Sequence, residues 1–189
     1  GTTQPPYTVS ASSVVTLSSR PATAISSTDL TPPRNGSGSP ADSVLWALKT
    51  MKLSPEIVIS GINQGQNMGS VVGASGTVGA ARTARRNGVP ALATSQGGIA
   101  PPNDYPTGVV ATLALLEEWR LGRTVNTTTS VLNINIPTCA VGFSVRGTVQ
   151  TVVATNATNY TLQDCASTAT AGSVISDIDG FNKGFASVA

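Results

Sequence analysis

The stretch from residue 54 to 96 constrains this 189-residue chain more than any other. Ile57-Val58-Ile59, bounded by Pro55 and Gly61, is a short β-branched run that reads as a buried strand. A loop follows with five glycines from Gly61 to Gly76. Thr77 to Arg86 reads as a helix of small and long-chain residues, stopped by Asn87-Gly88. Val89-Pro90-Ala91-Leu92-Ala93 then returns as a second strand. Strand, glycine-rich loop, helix and strand form a βαβ unit, which implies a parallel sheet and a right-handed crossover. Ligands of such sheets sit off the carboxyl ends of the strands, where this loop lies.

The helix start at Ser75-Gly76-Thr77 presents unpaired N–H groups and a positive dipole end to the loop. Ser75 and Thr77 add hydroxyl donors, and Gly73, Gly76 and Gly79 let backbone approach a ligand closely. Together these describe a phosphate or sulfate cradle. The alternative is a loop whose glycines only permit tight turns. No Gly-Lys-Ser/Thr of a Walker loop and no GxGxxG fingerprint is present. Asn63 and Asn67 stand where the first strand ends. Each amide is either a ligand for a hard cation or substrate oxygen, or a cap on its own loop backbone.

Composition narrows the function classes. Charged residues make up 11% of the chain, against about a quarter in ordinary proteins. Ser and Thr cover the polar surface instead, which suits an extracellular medium. The net charge of +2 argues neither for a nucleic acid polymer nor for an anionic membrane as partner. The absence of histidine removes the commonest general base, the histidine phosphatases and any imidazole zinc site. No apolar stretch is long enough to cross a bilayer. Gly1 in place of a methionine reads as a processed or partial chain. Cys139 and Cys165 either form one disulfide in an oxidising compartment or remain two independent thiols. Sequons at Asn35, Asn126, Asn156 and Asn159 all fall outside the expected strands and helices. Sequons, cysteines and low charge together point to a secreted, extracellular glycoprotein.

Taken in order, residues 1–38 are an irregular Thr/Ser/Pro-rich segment, with Val14 to Leu17 as one strand or extended piece. Residues 39–137 carry an α/β core and residues 138–189 a β-rich C-terminal extension, all in one domain. Ser39-Pro40 opens a helix, with Val44, Leu45, Leu48 and Met51 on one face. A longer helix runs from Tyr105 to Leu121, with Val109, Leu113, Leu116 and Trp119 as its apolar face. Val131 to Ile136 alternates and reads as a strand with one wetter face. The last fifty residues show no helical period. Phe143 to Arg146, Val149 to Val153 and Phe185 to Val188 read as strands, the first two as a hairpin or an arm.

Several pieces, in order from residue 38 to the C-terminus, resemble the SurE family of metal-dependent 5′/3′-nucleotidases and acid phosphatases. Pro55-Glu56-Ile57-Val58-Ile59-Ser60-Gly61-Ile62-Asn63, with Gly65 and Asn67-Met68-Gly69, is similar to the family's P-D-L-V-V-S-G-I-N-x-G-x-N-x-G. Ser75-Gly76-Thr77-Val78-Gly79-Ala80-Ala81 resembles S-G-T-V-x-A-A, and Gly88 to Ser95 resembles G-x-P-A-x-A-x-S. Gly38 to Val44 resembles G-T-P-A-D-C-V, Leu132 to Pro137 resembles L-N-I-N-V-P, and Asp177 to Val188 resembles the family's closing motif. The resemblance implies a Rossmann-like three-layer α/β sandwich, with a mostly parallel sheet and a C-terminal β-rich arm often exchanged in a dimer. It implies Asn63 as a metal ligand, with Asn63, Ser75 and Thr77 in the catalytic constellation. Asn67, Ser75, Gly76 and Thr77 would hold a phosphate-bearing small molecule.

The family's Asp-Asp pair, which holds the metal, has no counterpart here, and the first acid is Asp29. The family's metal-binding Ser-Gly is also absent, leaving Ser10 as its stand-in. Mg²⁺ or Mn²⁺ is therefore expected only where the aspartates are supplied. Lack of the family's first strand also predicts unpaired strand edges in the sheet, left by a partial chain, covered by a docked N-terminal piece, or filled by another chain. Two readings follow: a secreted phosphomonoesterase, or the larger part of one, and a non-catalytic, self-assembling structural glycoprotein. A phosphate- or sugar-binding module using the same helix start is a third. A homo-oligomer or higher-order assembly is expected in either of the first two.

Overall fold

The computed structural model describes residues 39–98, 104–123, 130–156 and 162–189, and the backbone of 14–17. Six strands form one sheet in the order β1-β2-β3-β4-β6-β5. They are β1 (Val14–Leu17), β2 (Ile57–Gln64), β3 (Ala91–Gln96), β4 (Leu132–Ile136), β5 (Thr148–Gln150) and β6 (Ala186–Val188). The β2/β3, β3/β4 and β5/β6 pairs are parallel, while β1/β2 and β4/β6 are antiparallel. The helices are α1 (Pro40–Leu45), α2 (Gly76–Arg86), α3 (Tyr105–Arg120) and α4 (Asp177–Asn182).

Side-chain alternation builds the three layers. Ile57 and Ile59 of β2, Leu92 of β3, and Leu132, Ile134 and Ile136 of β4 join Leu115 and Leu116 of α3 in one cluster. Val58, Ala91 and Ala93 point the other way, to Val44 of α1 and to Val78, Ala80, Ala81 and Ala84 of α2. Alanine faces alanine there, so α2 lies close on β2 and β3. Met68, in the loop after β2, packs against Ile178 and Phe181 of α4.

Several expectations change. The edge beside β2 is not open: β1 of this same chain pairs with it, antiparallel, from Val14 opposite Ser60 to Leu17 opposite Ile57. Trp46–Thr50 continues α1 as a wider π turn. Val44 and Ala47 are buried while Leu45 and Met51 face solvent, and the wider turn carries Met51 off the Val44 face. In α3 the buried line is Gly108, Thr112, Leu115 and Leu116, with Leu113 turned outward. The last fifty residues do contain a helix, α4, whose six residues are too few to print a period. Ser176 caps it by accepting the Asp179 N–H. Phe143 to Arg146 is not a strand, and β5 stops at Gln150. The segment forms no hairpin, because β5 pairs in parallel with β6 across α4.

Candidate functional site

The site is assembled at the carboxyl end of β2, where one extra residue matters. Ser60 pairs with Ala93, but Asn63 pairs with Ser95, so three residues of β2 span two of β3. The bulge centres on Gly61, at φ +127°, where a Cβ would collide with the Thr94 carbonyl. Without that residue Ile62 would stand in register with Ser95. With it, Asn63, Ser95, Asn135 and Ser187 fall in one row across β2, β3, β4 and β6.

The loop after β2 lies over this row. Asn67 donates its backbone N–H to Asn135 Oδ1 at 2.7 Å and its Nδ2 to Ser95 Oγ at 2.8 Å. Its carbonyl accepts from Asn133 Nδ2 at 2.8 Å and from Asn135 Nδ2 at 3.2 Å. The supposed wetter face of β4 is therefore covered, and Asn133 and Asn135 are 3% and 0% exposed. The physical reason is that a backbone loop, not a helix side-chain stripe, packs on that face, and buried backbone groups need partners. Asn67 is accordingly brought to β3 and β4, not to the α2 start. The sequence reading passed over Ser95, Asn133 and Asn135. Their signal was there: asparagine is a poor strand former, and two of them alternate in Leu132 to Ile136.

Asn63 is half-buried, with Nδ2 donating to the Gln64 and Gly65 carbonyls at 3.1 and 2.8 Å. Its loop thus orients the amide, and Oδ1 makes no hydrogen bond among the described residues. Ser75 caps α2 by accepting the Val78 N–H at 3.1 Å. Its own N–H goes to Val71 O. The Gly76 and Thr77 N–H groups, in the first turn, have no helical acceptor. Gly76 is exposed and Thr77 half-buried, so this end of α2 is open to a ligand. The start of α1 adjoins it, since a Cβ on Gly76 would sit 3.2 Å from Pro40 Cγ. No hydrogen bond joins Asn63 to the α2 start; the two share the carboxyl end of the sheet through the β2-loop-α2 connection.

Cations fare differently. No three His, Cys, Asp or Glu side chains come together among the described residues. Asp42 accepts the Ser39 N–H and hydroxyl in a capping box, and those two bonds, the backbone one first, hold its carboxyl below the usual aspartate range. Asp104 caps α3, Glu117 and Glu118 pair with Arg120 and Arg123, and Asp179 pairs with Lys183. Asp164 and Asp177 accept backbone N–H groups. Among the described residues, the donors left at the carboxyl end are neutral amide and hydroxyl oxygens, which do not fit Mg²⁺ or Mn²⁺. Ser10 and Asp29 lie outside the described residues, as do Asn35, Asn126 and Asn159. Asn156 is exposed. Cys139 and Cys165 form a disulfide with Cα atoms 5.6 Å apart.

Fold and site define a three-layer α/β protein with an exposed helix start at the carboxyl end of its parallel strands. Residues 8–163 match the model of the family described as survival protein SurE. The 5′/3′-nucleotidases SurE of Salmonella arizonae and Salmonella typhimurium are each 43% identical over 101 residues, covering 53% of this chain and 38% of theirs. The crystal structure of the SurE protein from Aquifex aeolicus superposes with a TM-score of 0.61 at 22% identity, over 80% of this chain and 65% of that one. The chain belongs to the SurE family. Its matched stretch spans well under half the length of the nucleotidases.

Proposed function

We propose that this chain is the phosphate-recognising part of a secreted SurE-type phosphomonoesterase, a nucleotidase or acid phosphatase. The observation that carries the reading is the exposed start of α2, where Gly76 is exposed and Thr77 half-buried beside the Ser75 cap. Two backbone donors and the helix dipole hold a phosphoryl oxygen without any charged side chain. The Asn63 amide oxygen, at the adjoining strand end, orients a substrate hydroxyl or ester oxygen's hydrogen-bond partner. Nucleophilic attack in this family depends on a divalent cation. The described donor set does not fit one, so no step is derived through it.

Hydrolysis of p-nitrophenyl phosphate and of a nucleoside monophosphate, with Mg²⁺ or Mn²⁺, tests the proposal on material of verified mass and N-terminal sequence. Turnover above blank supports it. Absence of turnover in such material would leave the second reading, a self-assembling structural glycoprotein with a SurE fold. That reading is favoured by one specific observation, the engagement of Asp42, Asp104, Glu117, Glu118, Asp164, Asp177 and Asp179 in caps, ion pairs and backbone bonds. Light scattering and electron microscopy separate the two, since assemblies larger than a dimer belong to the second.

A further inference from the structure

Asp177 is fully buried and has no cationic partner among the described residues. Its carboxylate accepts three backbone N–H groups from three parts of the chain. Oδ2 takes Gly69 at 2.9 Å; Oδ1 takes Ala154 and Ile178, each at 2.8 Å. Such a carboxylate joins the elements that supply its donors. Here those elements are the loop after β2, the arm after β5, and α4. We infer that Asp177 is a positioning residue for the anion-accepting start of α2, acting through Gly69; the inference rests on the reading of that helix start as a phosphate site.

The route is short. Gly69 begins the 3₁₀ turn Gly69–Gly73 at φ +54°, and a Cβ on it would press against Ile178 Cδ1 at 2.8 Å. The carbonyl of Val71, inside that turn, accepts the N–H groups of both Ala74 and Ser75 at 3.0 and 3.1 Å. Ser75 in turn caps α2. The Val72 carbonyl is held from the other side by Arg82 Nη1 at 3.1 Å, and its side chain sits in the α1/α2 core. Every link between the carboxylate and the Gly76 and Thr77 donors is thus a hydrogen bond or a chain neighbour. A ligand gripped by backbone N–H groups senses their direction, so a loosened Gly69 weakens the grip with no contact to the ligand lost.

Asp177→Asn sets an amide donor against the Gly69 N–H, or gives up the Ala154 and Ile178 bonds if the amide turns over. Asp179→Asn, two residues on, breaks the Lys183 pair and the Ile175 N–H bond but does not reach Gly69. Inorganic phosphate is titrated into both variants and the wild type, with the amide resonances of Gly76 and Thr77 followed by NMR and hydrogen exchange recorded without phosphate. Asp177→Asn is expected to weaken phosphate about tenfold and to speed exchange from Gly69 to Ser75 about tenfold or more, while Asp179→Asn leaves both unchanged. Equal effects of the two variants overturn the inference. If wild type shows no phosphate response, the phosphate reading fails by itself, and the exchange comparison still decides whether Asp177 orders this segment. Should Asp177→Asn not fold, a wild-type Gly69 amide that exchanges as fast as exposed loop amides overturns it equally.

Discussion

Two asparagines two residues apart on one strand are expected to respond unequally to the same substitution. Asn135 Oδ1 accepts the buried Asn67 N–H, and Asn133 only donates to the Asn67 carbonyl. Asn133 Oδ1 is itself buried without a hydrogen-bond partner among the described residues. Leucine branches at Cγ as asparagine does, and it adds similar bulk at both positions, so overpacking cancels in the comparison. Asn135→Leu strands the Asn67 N–H in a dry site, at about 1–3 kcal/mol, and removes a second, longer bond to the carbonyl. Asn133→Leu leaves that carbonyl with the Asn135 bond and removes an unsatisfied acceptor. It loses about 1 kcal/mol of hydrogen bonding and regains a comparable desolvation term. The difference is about 2 kcal/mol against Asn135→Leu, or about 4–8 °C in Tm for a chain of this size. Urea unfolding followed by circular dichroism, with thermal melts beside it, measures it. Equal losses, or a larger loss for Asn133→Leu, would refute the claim that satisfying the Asn67 N–H is the main contribution of Asn135.

Three further outcomes follow from the same structure. Because the Ser39 bonds depress the Asp42 carboxyl, its contribution is present above the unfolded-state value and is lost as pH falls through the lower folded one; stability of wild type should drop more steeply below about pH 4 than that of Asp42→Asn, as read by acid titration of the melting temperature. Reduction of the Cys139–Cys165 bridge, which closes a 26-residue separation, is expected to lower stability by about 3–4 kcal/mol on the chain-entropy model, and a melt unchanged by reductant would contradict that. Gly97→Ala puts a Cβ into the Gln163 amide, which otherwise accepts the Thr138 N–H at 2.8 Å, and 2.9 Å from Phe181 Cζ; the variant should lose about 2 kcal/mol, and the part due to Gln163 should vanish in a Gln163→Ala background, where a double-mutant cycle showing no coupling would sink the assignment.

Much of the core unit was legible because its signals are local. Ile57-Val58-Ile59 reports a strand by β-branching, Ser75 and Asn87-Gly88 bracket α2, and the apolar residues from Val109 to Trp119 report α3. The start of α2 was legible for the same reason, since a helix start needs only its own first turn. Asn63 was found at the strand end, but its placement in register with Ser95 depends on the bulge at Gly61.

What the sequence by itself determined is therefore the βαβ unit, its family, and the short supply of carboxylates. Each is a property of neighbouring residues or of a count. Tertiary structure decided the rest. It closed the β2 edge with β1, made α4 from six residues with no period, and turned the Leu132–Ile136 face from wet to buried by laying the Asn67 loop on it. It also drew Asp177, 108 positions from Gly69, onto the loop that leads into α2. Those outcomes rest on hydrogen bonds between segments far apart in the chain. Their partners are set by packing, and periodicity along one segment carries no record of them.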